Sequence, residues 1–124
     1  SSIYEEERSK RFLSAIQSVI PLSESLGVRL CLETDLPPGR FFRLLKELDS
    51  DHVSVNYYTG NSVSLGYDFK KELAAYGNSI TDLHIKDRTY GGGSVPLGEG
   101  AMNFEDFFSG FSKINFEGLM TLQE

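Results

Sequence analysis

The chain has 124 residues, 40% hydrophobic and 24% charged, an ordinary globular balance that excludes a disordered or fibrous chain. Twelve basic residues against eighteen acidic ones leave a net charge of −6, with the cations scattered, so no basic stripe exists for a nucleic-acid partner. Apolar runs reach about five residues, far short of the ~20 that cross a bilayer, so no membrane is expected either, and Glu5-Glu6-Glu7 stands where a signal peptide would be basic, then apolar.

Residues 5–26 carry Phe12, Leu13, Ile16, Val19, Ile20 and Leu26 at helical spacing, with Pro21 predicting a kink or restart and Gly27 a left-handed stop. Residues 28–33 read as a strand, 36–39 as a loop and 41–48 as a short amphipathic helix. A second strand follows at 53–58, then the turn-rich Thr59-Gly-Asn-Ser62 and a helix over 68–76 stopped by Gly77-Asn78. Residues 80–86 form a third strand, and a glycine-rich loop runs from Gly91 to Gly100. Residues 103–112 form a helix with Phe104, Phe107, Phe108 and Phe111 on its core side, and Gly118 opens the last strand. The polar start without methionine and the stop at Glu124 directly after a strand lead us to expect a piece of a longer protein, residues 1–124 forming a single domain.

Alternating helices and strands predict an α/β fold with a parallel sheet. The loops after the strands are long and polar, which places a ligand site at the strand C-terminal ends. Each strand alternates an apolar residue with a partly polar one: Val28, Leu30 and Leu32 against Arg29, Cys31 and Glu33; Leu83 and Ile85 against Asp82, His84 and Lys86. An open doubly wound sheet is covered on both sides and tends to be apolar on both, whereas a barrel has one helix-facing side. A (β/α)8 TIM barrel takes about 250 residues, so four strands make a half-barrel. A four-stranded open sheet is the competing arrangement.

Glu33, Tyr58, His84 and Glu124 stand near the four strand ends, 25, 26 and 40 residues apart, each on the non-aliphatic face. Two carboxylates and an imidazole are suitable donors for Mn, Mg, Co or Zn as a divalent metal ion, although lone carboxylates at strand ends also serve as caps. Cys31 cannot form an internal disulfide and reads as a small buried hydrophobe, with a reducing cytoplasm as the expected compartment. His52 reads as solvated at the far end of the sheet, Glu99 as part of a turn or of the mouth, and Gly91–Gly93 as a mobile loop or an approach to a phosphate.

The run Leu83-His-Ile-Lys-Asp-Arg88, with Ser94-Val-Pro-Leu-Gly-Glu-Gly100 and Asn103-Phe104, resembles the xylose-isomerase-like TIM barrels, closest to the sugar-phosphate isomerases, ketose 3-epimerases and hexulose-phosphate isomerases. Residues 26–34, Asn56–Asn61 and Glu124 resemble that family's fifth, sixth and eighth strands, so the resemblance covers residues 22–124 as the C-terminal half of the barrel. It implies Glu33, His84 and Glu124 as metal ligands, Glu33 and Glu124 as an acid/base pair, and Lys86, Arg88 and Asn61 as substrate-binding residues. The implied reaction is isomerisation or epimerisation of a ketose or ketose phosphate, a small-molecule sugar partner, through a cis-enediolate, with a homo-oligomer as a further expectation. The departure is Tyr58, where the family pattern has an aspartate ligand; a phenol is a poor donor, and the alternative is a metal-free, sugar-binding relative. Abasic-site nucleases share the barrel and give a third reading, against which stand the acidic charge, Asn61 in place of a histidine and a total of two histidines for a multi-zinc site.

Overall fold

The computed structural model describes residues 2–123 and, in the first helix, side chains from Glu5 onward. Helix α1 (Ser2–Leu26) runs unbroken through Pro21, without the restart that the proline predicts. Pro21 and Gln17, the residue whose carbonyl its missing N–H would have paired, are both exposed. Gly27, at φ 66°, ends the helix: its N–H donates to the Glu24 carbonyl (3.3 Å) and that of Val28 to the Ser23 carbonyl (3.0 Å). Because Val28 is committed to that closure, strand β1 (Leu30–Leu32) is shorter than the expected 28–33.

Helix α2 (Pro38–Leu48) starts earlier than Phe41 because a proline in the first turn gives up an N–H that has no helical partner. Strand β2 (Val53–Tyr58) has its predicted bounds. The Thr-Gly-Asn-Ser stretch expected as a turn is instead the start of helix α3 (Thr59–Leu65). These residues have weak helix propensity, and the helix is held from outside. The Thr59 hydroxyl donates to the Lys86 carbonyl (2.7 Å) and accepts from the Lys86 N–H (2.8 Å). Helix α4 (Phe69–Tyr76) is capped by Asp68, which accepts from the Lys70 N–H at 2.9 Å.

Strand β3 (Ile80–Ile85) leads into the glycine-rich segment, expected as a mobile loop, which folds into an antiparallel ribbon of β4 (Asp87–Arg88) and β5 (Ser94–Val95). Asp87 is fully buried and accepts from the backbone N–H groups of Gly98, Gly100 and Met102 at 3.0–3.1 Å, binding the ribbon's far limb to its start. Helix α5 (Phe104–Phe111) and strand β6 (Leu119–Leu122) complete the order. Of the four α5 phenylalanines expected in the core, Phe107 and Phe111 are buried, Phe104 is half-buried and Phe108 stays 40% exposed.

The main sheet has the order β1-β2-β3-β6, every pair parallel. One face packs on the helices: Val55, Tyr57, Ile80, Leu83 and Ile85 meet Phe41, Tyr76, Phe107 and Phe111. Ile16 and Ile20 of α1 pack with Leu48 over Leu30, Leu32 and Val53. The other face is polar and uncovered. Cys31, expected to be buried, is exposed there: its thiol donates to Asp82 (3.2 Å), and Ser54 donates to its sulfur (3.4 Å). A sheet with helices on one face and a polar concave face on the other is half of a (β/α)8 barrel. His52 is half-buried rather than solvated, its Nδ1 3.3 Å from the Val28 carbonyl.

A β-bulge between Val55 and Asn56 of β2 and residues 80–82 of β3 decides which way His84 faces. Thr81 and Asp82 both contact Cys31 on the polar face, so the alternation shifts by one residue there. Ile80 can therefore share the core with Leu83 and Ile85 while His84 turns inward. Gly118 fits beside the bulge because a Cβ there would collide with the Thr81 carbonyl.

Leu119, Met120 and Leu122 of the edge strand β6 are 52–76% exposed, as are Phe12, Val19, Leu22 and Leu26 of α1 at 43–66%. Exposed apolar surface along an open strand edge favours pairing. The isolated 124-residue chain is expected to sediment as dimers or larger species, and a monodisperse monomer in analytical ultracentrifugation would contradict this.

Candidate functional site

The polar face carries its chemistry at the C-terminal ends of the strands. Glu33 follows β1 and is exposed, and its Oε1 accepts from Asn56 Nδ2 at 3.2 Å. The Asn56 amide is oriented by this carboxylate, which leaves its Oδ1 buried and without a partner among the described residues. Tyr58, opposite His84 in the parallel register, folds back over α3: a Cβ on Gly60 would lie 2.6 Å from its ring Cζ. His84 is half-buried on β3 with Thr121 beside it on β6. The Gln123 N–H donates to the Ile85 carbonyl (3.0 Å), and its side-chain Nε2 lies 2.8 Å from His84 Nδ1.

Lys86, half-buried, follows β3, and Arg88 is tied down because its Nε donates to the Gly92 carbonyl at 2.9 Å. Asn61 of α3 and Glu33 open on one groove of about 930 Å3, which Arg40 and Arg43 also line. Glu99 is exposed, its N–H closing a turn on the Pro96 carbonyl. The structure thus brings Glu33, Asn61, His84, Lys86 and Arg88 to one end of the sheet, while Glu124 lies outside the described residues. Sequence reasoning missed Gln123. The signal was the alternation Leu119-Thr121-Gln123, which shares a face with His84 once the strands pair.

Of the three ligands that the resemblance implies for a divalent ion, Glu33 and His84 lie among the described residues and Glu124 does not. Glu33 and His84 stand two strands apart, with the amide of Asn56 and the displaced phenol of Tyr58 between them. The Asn56 amide donates to one oxygen of Glu33, and the Gln123 side-chain amide lies 2.8 Å from His84 Nδ1. No three histidine, cysteine, aspartate or glutamate side chains converge among the described residues.

Behind the mouth lies a group that no motif announces. Glu72 of α4 is 2% exposed and accepts from the hydroxyls of Tyr57 (2.7 Å), Ser62 (2.8 Å) and Tyr76 (2.9 Å). Burial raises its pKa above the ordinary 4.5, with the three donors opposing and Asp68 adding to the rise. Burial, then the charge of Glu72, likewise raises Tyr57 and Tyr76. A carboxyl whose folded pKa is raised stabilises the fold below its unfolded value and loses that contribution as pH rises through the folded value. Stability of the wild type relative to Glu72→Gln is therefore expected to fall as pH climbs from about 4.5. Urea unfolding across that window checks this, and a difference that stays flat refutes it.

The family model of the xylose isomerase-like TIM barrel matches residues 1–124. The chain is 27% identical over 131 residues to a proposed L-ribulose-5-phosphate 3-epimerase of Haemophilus influenzae, covering 96% of this chain and 46% of that protein. Among solved structures it resembles a xylose isomerase domain protein from Planctomyces limnophilus (TM-score 0.83, 17% identity, 93% of this chain and 45% of that one). It also resembles a xylose isomerase-like TIM barrel protein from Mycobacterium smegmatis in complex with magnesium (TM-score 0.71, 19% identity, 90% and 42%). The chain spans less than half the length of the curated relatives it matches. Among the described residues, no helix is long and apolar enough to cross a membrane.

Proposed function

The chain belongs to the xylose isomerase-like TIM barrel family, and from that premise we propose that it forms half of a barrel that isomerises or epimerises a ketose or ketose phosphate. The observation that carries this reading is the placement of a carboxylate, Glu33, and an imidazole, His84, at the C-terminal ends of two parallel strands, with Lys86 and Arg88 following His84 in the chain. Glu33 holds its Oε1 on Asn56, and its other oxygen removes the proton from the carbon next to the sugar carbonyl. Glu124 is proposed to return the proton from the opposite face. Lys86, Arg88 and Asn61 hold hydroxyls or a phosphate at the rim. The likeness to a proposed pentulose-phosphate epimerase supports this substrate class.

A divalent ion held by Glu33, His84 and Glu124, as the resemblance implies, would polarise the sugar carbonyl, and the proton transfer is assigned to side chains. A second reading, a metal-free sugar-binding relative without turnover, is favoured by Tyr58 folded over Gly60. Incubating the natural protein in D2O with ketopentoses, ketohexoses and their phosphates separates the two. Deuterium entering the carbon next to the carbonyl supports the isomerase. Saturable binding without exchange supports the second reading.

A further inference from the structure

We infer that Glu72, buried behind the mouth, is a positioning residue for the sugar site: through Tyr57 and Ser62 it fixes residues 56–62, from which Asn56 holds the base Glu33. The inference rests on the sugar-site reading above and adds what keeps the base in place. Glu72 of α4 is 2% exposed, and two of the three hydroxyls that donate to it come from that stretch. Tyr57, at the end of β2, donates to Oε1 at 2.7 Å, and Ser62, in α3, donates to Oε2 at 2.8 Å. The third donor, Tyr76 at 2.9 Å, lies one turn further along α4 itself. A single carboxyl group thus ties the end of β2 and helix α3 to helix α4.

The stretch needs anchors from outside. Strand β1 pairs with β2 only as far as Val55, and the register with β3 shifts between Val55 and Asn56, so the ladder is least regular where Asn56 sits. Tyr57 is buried among the helix-side residues, while the Asn56 amide meets Glu33 Oε1 at 3.2 Å on the other face. One peptide unit therefore joins a buried anchor to the group that orients the base. Further along, Thr59-Gly-Asn-Ser62 has weak helix propensity and is fastened by Thr59 to the Lys86 backbone and by Ser62 to Glu72. Asn56, Asn61, Ser62 and Glu72 line one small cavity of about 10 Å3, which places the carboxyl group directly behind the amides of the mouth. Burying a carboxyl group costs stability unless it is hydrogen-bonded, and here two of the bonds that offset the cost also hold the mouth. A base displaced by about 1 Å can lose about 10²-fold in rate, so such tethers matter to the chemistry as well as to the fold.

Three single substitutions in the natural protein test this. Tyr57→Phe and Ser62→Ala each remove one tether, whereas Tyr76→Phe removes a hydrogen bond from the same carboxyl group without touching residues 56–62. Deuterium exchange into a ketose is expected to slow about tenfold or more through kcat in the first two, and to stay at the wild-type rate in Tyr76→Phe, although all three lose stability. The Asn56 side-chain amide signal in 1H–15N spectra, assigned with Asn56→Ser, is expected to shift in Tyr57→Phe and Ser62→Ala and to stay in place in Tyr76→Phe. Ser62→Ala carries the comparison alone if Tyr57→Phe does not fold. Rates that fall alike in all three variants, or an Asn56 signal that neither tether variant moves, overturn the proposal. An Asn56 signal that moves as expected in a protein that exchanges no ketose supports the placement by Glu72 and sinks the isomerase reading, so the two fail separately.

Discussion

Glu33→Gln in the natural protein is expected to slow deuterium exchange into a ketose about 10²–10⁴-fold, the range over which a positioned general base contributes. The substitution is nearly isosteric, and Glu33 lies in the exposed mouth rather than in the core. It removes the charge that orients the Asn56 amide, but a glutamine oxygen can still accept from Asn56 Nδ2. Folding should therefore survive and substrate binding should weaken little, so the loss falls on kcat. A Glu33→Gln protein exchanging at the wild-type rate removes Glu33 from the chemistry. One that melts well below the wild type leaves Glu33 a structural residue.

Phe107→Ala is expected to cost about 3–5 kcal/mol of stability, the usual range for emptying a buried aromatic site. Phe107 is fully buried, and its ring centroid lies 5.1–5.8 Å from those of Tyr57, Phe69, Phe108 and Phe111. It is the point where α5, α4 and β2 meet, so no single neighbour can move to fill the space. Phe108→Ala, one position along and 40% exposed, serves as the control and should cost far less. Chemical denaturation of both variants checks the contrast. Equal losses would mean that the packing of α5 on the sheet is not as described.

Much of the fold is legible in the sequence because strands and helices imprint different periods on apolar residues. The bounds of β2 and α4 and the glycine stop of α1 follow from such local signals. Helix α3 does not, because Thr59-Gly-Asn-Ser62 lacks helix propensity and is ordered by a hydroxyl bonded to the backbone of Lys86, just past β3 and 27 residues later. The β-bulge is equally hidden. The sequence shows Asp82, His84 and Lys86 alternating with Leu83 and Ile85, but not that Ile80 joins the same core through a shift opposite Asn56.

The candidate site divides along the same line. Glu33 and His84 are visible as a carboxylate and an imidazole at strand ends, and the resemblance places them in a sugar-handling barrel. The neighbours that set their chemistry were invisible: Asn56 on Glu33, Gln123 on His84, and Glu72 buried behind Tyr57. By itself the sequence determined the α/β alternation, the parallel sheet and the end of it where a site is expected, since these depend on local periodicity and loop length, while the half-barrel competed there with an open sheet. Only the tertiary structure decided that the amides of Asn56 and Gln123 meet the two key side chains. Cross-strand partners are chosen by register, and register is set by pairing between distant segments and by a glycine packed against a bulge, neither of which any local stretch of sequence encodes.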